Sequence, residues 1–285
     1  MVKIMQTQEW PLVSVIMSVY SGNISSEFKR SLLSMAVQDY PNLETVLVFD
    51  GPVSEDVHQA VTDVQNISKC PIRVIPLETN GGLGPALNTA IADAKGEFLA
   101  RMDSDDYSLP DRISAQMKFL LENPEVDVLG CVIKDTFING REYVLLMPKK
   151  HEDCVTAFSW RHPINHPTAV FRRRFFDKAG LYPINAKLDE DSALWLAGIK
   201  SGCVFSNINE AKYVRYLDDK FFKRRGKFEE LWAVLKMRLR IVSELNYGIK
   251  GYLCAFTRFA LLFFPRFISN AVYYVRVRLF GEFLG

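Results

Sequence analysis

With 285 residues, 48% of them hydrophobic, the chain can fill one large domain or a domain with an appendage, which excludes a disordered polypeptide. Its five cysteines, Cys70, Cys131, Cys154, Cys203 and Cys254, are scattered without a Cys-x-x-Cys pair, so neither a disulfide framework nor a zinc ribbon is indicated and a reducing cytoplasm suits them. The net charge of +2 hides an asymmetry: from Lys220 onward there are 13 Lys or Arg against 4 Asp or Glu, while the preceding part is acidic.

In chain order, Met1 to Trp10 is polar and carries no signal-peptide pattern. Val13 to Ser18, Glu44 to Phe49, Ile72 to Ile75 and Phe98 to Met102 are short apolar or β-branched runs, predicted as buried parallel strands. Between them Phe28, Leu32, Met35 and Ala36, then Val57, Ala60, Val61 and Val64, then Ala86, Leu87, Ala90, Ile91 and Ala94 keep helical spacing. Such alternation predicts an α/β doubly wound sheet with ligand sites at the C-terminal ends of its strands, where Tyr20, Asp50, Asn80 and Asp103 fall. Pro110 and Asp111 would begin the next helix. Val126 to Val132 reads as a further strand, and Asn139-Gly140 signals a hairpin that makes the sheet mixed. Thr168 to Phe171 and Val204 to Ile208 are predicted strands, with a helix from about Asp191 to Ser201 between them. Phe228, Leu231, Trp232, Leu235, Leu239 and Val242 keep helical spacing, so the chain is expected to end in helices.

The chemistry concentrates at Asp103-Ser104-Asp105-Asp106. Three carboxylates within four residues at a strand end repel one another unless a cation sits among them. An Asp-x-Asp there can offer hard oxygens to Mg²⁺ or Mn²⁺ whose other positions take phosphate oxygens, equipment for holding a diphosphate. A solvated acidic turn before the next helix is the alternative reading. His162 and His166 stand four apart, but Pro163 and Pro167 prevent a clean helix through them, which argues against a zinc pair.

Seven segments in order resemble family 2 of the inverting glycosyltransferases, which have the GT-A fold. They are Val15-Ile16-Met17-Ser18-Val19-Tyr20; Gln38 with Tyr40-Pro41-Asn42-Leu43-Glu44; Phe49-Asp50-Gly51; Asn80-Gly81-Gly82-Leu83-Gly84-Pro85-Ala86-Leu87-Asn88; Ala100-Arg101-Met102-Asp103-Ser104-Asp105-Asp106; Asn165-His166-Pro167-Thr168; and Asp189-Glu190-Asp191. The resemblance covers roughly residues 12 to 225 and implies transfer of a sugar from a nucleotide diphosphate donor, most often a UDP-sugar, to a hydroxyl with inversion. It implies nucleotide-sugar contacts from Ser18, Val19, Tyr20, Asp50, Asn80, Gly82, Arg101, Asp103 and Ser104, with Asp103 and Asp105 at the metal. Asp50 can accept a hydrogen bond from the uracil N3–H, which leaves a thymidine nucleotide open; a helix cap is its plainer reading. Arg101 shares a strand face with Asp103, so it pairs with a carboxylate or reaches the donor. By resemblance Asp191 is the general base, helped by Glu190, and His166 lines the acceptor side, although Asp is also a good helix-start residue. Arg224 and Arg225 are candidates for a basic lid over the diphosphate, with a membrane-facing patch as the rival.

Domain bounds follow: a GT-A catalytic domain over 1–225, divided into a nucleotide-sugar half at about 12–110 and an acceptor half at about 111–225, then a C-terminal helical region over 226–285. The segments Tyr252 to Phe264 and Phe267 to Val275 are too short to span a bilayer, but carry basic polar and aromatic apolar faces suited to an anionic membrane surface. Packing on the protein or in a homodimer is the alternative. No nucleic-acid module appears. The expectation is a cytoplasmic enzyme, peripheral on the inner membrane face, that extends a lipid-linked (polyprenyl diphosphate) saccharide in exopolysaccharide, capsule or O-antigen synthesis. A non-catalytic assembly protein of the same fold and a sugar nucleotidyltransferase are the alternatives.

Overall fold

The computed structural model describes residues 10–137, 140–184, 189–217, 228–261 and 281–284. Strands β1 (Val13–Val19), β2 (Leu43–Phe49), β3 (Ile72–Pro76) and β4 (Phe98–Met102) alternate with helices α1 (Ser25–Ala36), α2 (Glu55–Gln65) and α3 (Leu83–Asp93). β1 pairs in parallel with β2 and β4, and β2 with β3, giving the spatial order 3-2-1-4. Side-chain alternation along β1 sends Val13, Val15, Met17 and Val19 to one core, shared with Phe28, Leu32 and Met35 of α1 and with Val57, Ala60, Val61 and Val64 of α2. Ile16, Val46, Val48 and Leu99 face the other way onto Ala86, Leu87, Ala90 and Ile91 of α3. Both faces are covered, which is why these strands read as continuous apolar runs.

Beyond β4 the chain forms β5 (Tyr107–Ser108), α4 (Arg112–Glu122), β6 (Val128–Phe137), β7 (Glu142–Leu145), α5 (His151–Ala157), β8 (Val170–Arg172), α6 (Arg174–Ala179), α7 (Glu190–Lys200) and β9 (Phe205–Leu217). β8 lies antiparallel to β4 and β6, β7 antiparallel to β6, and β9 runs parallel to β6 and antiparallel to β5. The result is the mixed α/β sheet flanked by helices that the alternation predicts. β6 and β9 extend well past their predicted ends because each supplies the other's hydrogen bonds through a register shift near Val132. β5, too short to show a period, exists through its pairing with Tyr213 and Val214.

At the C-terminal side lie α8 (Phe228–Glu244) and α9 (Gly248–Leu261). The expectation that the chain ends in helices needs correction, because Gly281–Leu284 forms β10, antiparallel to β7. An unpaired sheet edge accepts any extended segment, and four residues give no readable period. α8 buries Leu235, Arg238, Ile241 and Val242. α9 is turned unusually: it buries small Gly251 and Ala255 but exposes Ile249, Tyr252, Leu253 and Phe256, an i, i+3, i+4, i+7 stripe. Among the described residues no helix is long and apolar enough to cross a membrane. The predicted Phe267 to Val275 segment lies outside the described residues.

Candidate active site

Just beyond β4, Asp103, Asp105 and Asp106 each bring one carboxylate oxygen within 4.8 Å of the others. The backbone there is pinned from three directions. Ser31 of α1 donates to the Asp103 carbonyl at 2.5 Å, Arg30 donates to the Asp105 carbonyl at 2.9 Å, and Arg112 of α4 donates to the Arg101 carbonyl at 2.6 Å. Tyr213 of β9, fully buried, accepts the Asp103 N–H and donates to the Asp106 carboxyl. Asp106 is itself buried, and burial, reinforced by the neighbouring Asp103 and Asp105, pushes its pKa well above the carboxylate range. Sequence reasoning counted Asp106 in the acidic run but missed it as a member of the gathered set, since only β9 turns it inward. Ser104 is buried beside it.

These hard oxygen donors fit Mg²⁺ or Mn²⁺, and a cation would relieve the repulsion recorded in Asp106. Arg101, 2% exposed, ion-pairs with Asp103. Burial, the largest single effect, works against its charge, but Asp103, Tyr213 and Tyr182 together outweigh it and leave its pKa above the ordinary value. The same guanidinium favours the charged forms of Glu190 and Asp191, so its charge acts on both acidic groups of the site.

On the other side of the rim, Asp50 follows β2. Its Oδ1 accepts the Gly81 N–H at 2.7 Å and its Oδ2 the Gly82 N–H at 3.0 Å, while Asn80 donates to the Asp50 carbonyl at 3.2 Å. The helix-cap alternative for Asp50 is therefore replaced by a loop anchor; Ser54 is at the start of α2. Gly51 needs its φ of +80°, and a side chain there would strike the Asn80 backbone. Tyr20 is exposed at the end of β1, its N–H donated to Asn23 at 2.9 Å. Ser18 is half-buried, and Val19 is buried with its carbonyl already accepting the Asp50 N–H at 2.8 Å.

α7 begins at Glu190, with Asp189 at its cap position. Asp191 accepts the Ser192 N–H at 2.8 Å, and its Oδ2 lies 3.6 Å from His162 Nδ1. Burial is the main cause that raises the pKa of Asp189, Glu190 and Asp191 alike. Arg238 of α8, buried, meets His162 Nε2 at 3.3 Å. Arg238 was missed in the sequence, although its position three residues after Leu235 on the apolar stripe was a signal. His166, expected on the acceptor side, is buried: its Nε2 is 2.7 Å from the Tyr182 hydroxyl, and its ring meets Tyr182 and Trp195 edge-on. Burial holds its pKa well below the usual value. Tyr182 is fixed in turn by Asn88, which exchanges two hydrogen bonds with its backbone at 2.8 and 2.9 Å. His162 and His166 therefore point to different partners. Arg215 is held by Asp135 through bonds of 2.7 and 2.9 Å, and Arg224 and Arg225 lie outside the described residues.

Residues 14–180 match the family model of glycosyl transferase family 2, more than half of the chain. The chain belongs to this family. Among similar proteins, the amylovoran biosynthesis glycosyltransferase AmsE of Erwinia amylovora is 32% identical over 85% of this chain and 90% of its own length. The UDP-Gal:α-D-GlcNAc-diphosphoundecaprenol β-1,3-galactosyltransferase of Escherichia coli is 23% identical over 96% of this chain and 99% of its own. Of solved structures, TarS 1-349 of S. aureus in complex with UDP superposes with a TM-score of 0.55 at 26% identity, covering 80% of this chain and 65% of that one. The family 2 sheet is thus the GT-A fold, and the chain is a glycosyltransferase.

Proposed function

We propose that this glycosyltransferase moves a sugar from a UDP-sugar to a hydroxyl of a lipid-linked saccharide, with inversion, in polysaccharide assembly. The observation that carries the reading is the gathering of the Asp103, Asp105 and Asp106 carboxylates at one strand end, with Arg101 ion-paired to Asp103 and its charge also acting on Asp191. Asp103 and Asp105 would hold Mn²⁺ or Mg²⁺, which when bound supplies positive charge against the departing diphosphate. Asp50 and the Asn80 to Gly82 loop would take the base, and the ends of β1 and β4, with Tyr20, Arg101 and Ser104, the rest of the nucleotide sugar. The acceptor oxygen forms a bond to the anomeric carbon as the bond to the diphosphate oxygen breaks on the opposite face, and the hydroxyl proton passes to Asp191. Glu190 would keep Asp191 and the acceptor in place.

The donor assignment is supported by the UDP complex of TarS and the UDP-Gal named for the E. coli relative. A lipid-linked acceptor is supported by the diphosphoundecaprenol in that relative's name. Peripheral attachment to the cytoplasmic membrane face is supported by the exposed stripe of α9 and the basic tail. The test is calorimetric titration of UDP with and without Mn²⁺. The parent should bind in a metal-dependent manner and Asp105→Ala should lose that dependence while its melting temperature holds. Equal, metal-independent affinity in both would overturn the metal assignment, and the absence of UDP binding in the parent would overturn the donor.

A further inference from the structure

Arg238 and His162, distant in sequence, meet beside Asp191. Arg238 comes from α8, seventy-six residues after His162, and is 3% exposed. Its Nη1 donates to the Phe158 carbonyl at 3.2 Å, its guanidinium lies 5.7 Å from the centre of the Phe158 ring, and its Nη2 meets His162 Nε2 at 3.3 Å. Guanidinium nitrogens only donate, so the ring nitrogen facing Arg238 must be an acceptor. The imidazole hydrogen is then on Nδ1, the atom 3.6 Å from Asp191 Oδ2. That distance is ion-pair reach, longer than a hydrogen bond, so the contact is one of orientation and partial charge in the free enzyme.

We propose that Arg238 is a positioning residue for the transfer reaction: by donating to His162 Nε2 it fixes the hydrogen of His162 on Nδ1, facing the carboxylate of Asp191. The proposal rests on the reading of Asp191 as the base. Its chemistry is that of a ring whose tautomer is set by the bond its other nitrogen makes. A free imidazole left to itself would be able to turn a lone pair towards Asp191 and repel it. The charged groups around Asp191 are Asp189 and Glu190 beside it, Arg101 from β4, Arg238 from α8, and His162, with the Tyr182 hydroxyl behind. Arg238 and Arg101 favour its charged form, against burial. Because Arg238 sits on α8, the helix that precedes the exposed stripe of α9, seating of the C-terminal region and orientation of the base are linked.

The test has two arms on the full chain. First, long-range ¹H–¹⁵N spectra should show His162 as the neutral Nδ1–H form near pH 7, and Arg238→Met should convert it to a mixture richer in Nε2–H. An Nε2–H ring in the parent overturns the proposal without any activity being needed, even if the variant fails to fold. Second, hydrolysis of a panel of UDP-glucose, UDP-galactose and UDP-GlcNAc with Mn²⁺ gives a rate that requires no acceptor. Arg238→Met should lower kcat about 10- to 100-fold with KM for the nucleotide sugar unchanged, and shift the acidic limb of the pH profile upward. Arg238→Lys, which keeps a donor and the charge, should restore part of the rate. Undiminished hydrolysis in Asp191→Asn with an intact Nδ1–H ring would instead place the fault in the reading of the base, whereas an unchanged profile in Arg238→Met overturns the positioning role.

Discussion

The carboxylate of Asp50 holds the backbone of Gly81: the Gly81 N–H donates to Oδ1 at 2.7 Å, with the next N–H, from Gly82, on Oδ2 at 3.0 Å. The end of β2 is thereby tied to the start of α3 across thirty-one residues, and the loop expected to approach the nucleotide is shaped by the residue expected to read it. Asp50→Asn keeps the outline but turns one acceptor into a donor facing an N–H. It should cost about 1–3 kcal/mol of unfolding free energy in urea and weaken UDP binding together. Weaker UDP binding at unchanged stability would show that Asp50 acts on the base alone.

Asp191 gives a prediction with a definite sign in pH. Burial raises its pKa, and a base must be deprotonated to act, so kcat should fall with decreasing pH at a midpoint above the ordinary aspartate value. Asp191→Asn should lower transfer about 10²- to 10⁴-fold with UDP affinity nearly unchanged. A carboxyl with a raised native pKa binds its proton more tightly when folded, so it costs stability as pH rises above the unfolded value near 3.9. The Asn variant should therefore melt no lower than the parent at pH 7 to 8. A lower melting temperature there would mean that Asp191 is needed for packing.

Asp127 shows the opposite linkage. Its side chain is fully buried, which alone would raise its pKa, but the Val204 N–H, Arg174 and Lys178 outweigh burial and lower it. Since both cations are near 40% exposed, Asp127→Asn should cost about 1–3 kcal/mol rather than the larger penalty of a dry ion pair. The difference from the parent should be full above pH 4 and shrink as pH falls towards the lower native pKa. Urea unfolding across that range checks it; a difference that does not change with pH would contradict the assignment.

Removal of α9 should separate lipid binding from nucleotide binding. The cut belongs after Tyr247, because the Tyr247 hydroxyl donates to the Val155 carbonyl and α8 must stay to bury Arg238 and Ile241. A chain ending at Tyr247 should still bind UDP but no longer sediment with anionic vesicles, which the parent should do more strongly as the anionic fraction rises. Attraction of about 1 kcal/mol is expected for each basic residue near the surface, with Ile249, Leu253 and Phe256 inserting. High salt should strip the parent from membranes in part. An intact chain that ignores vesicles, with a truncated one that aggregates, would assign the stripe to protein contact.

By itself the sequence determined the four leading strands, the helices between them and the carboxylates at their ends. Each strand is a short apolar run bounded by polar residues, and such a run is local information: Phe98 to Met102 needs no distant partner to be read, and Asp103 and Asp105 follow it directly. Asp189 to Asp191 was legible in the same way, as acidic residues at a helix start. What tertiary structure decided is which side chains meet from afar. Asp106 joins Asp103 only because Tyr213 arrives on β9, Asp50 is occupied by glycines of a later loop, and His166 is closed in by Tyr182 and Trp195. Periodicity tells which residues of α8 and α9 share a face, not which face meets the protein. Only the folded chain turns Arg238 inward and the large apolar residues of α9 outward, because that choice depends on the surface each helix encounters.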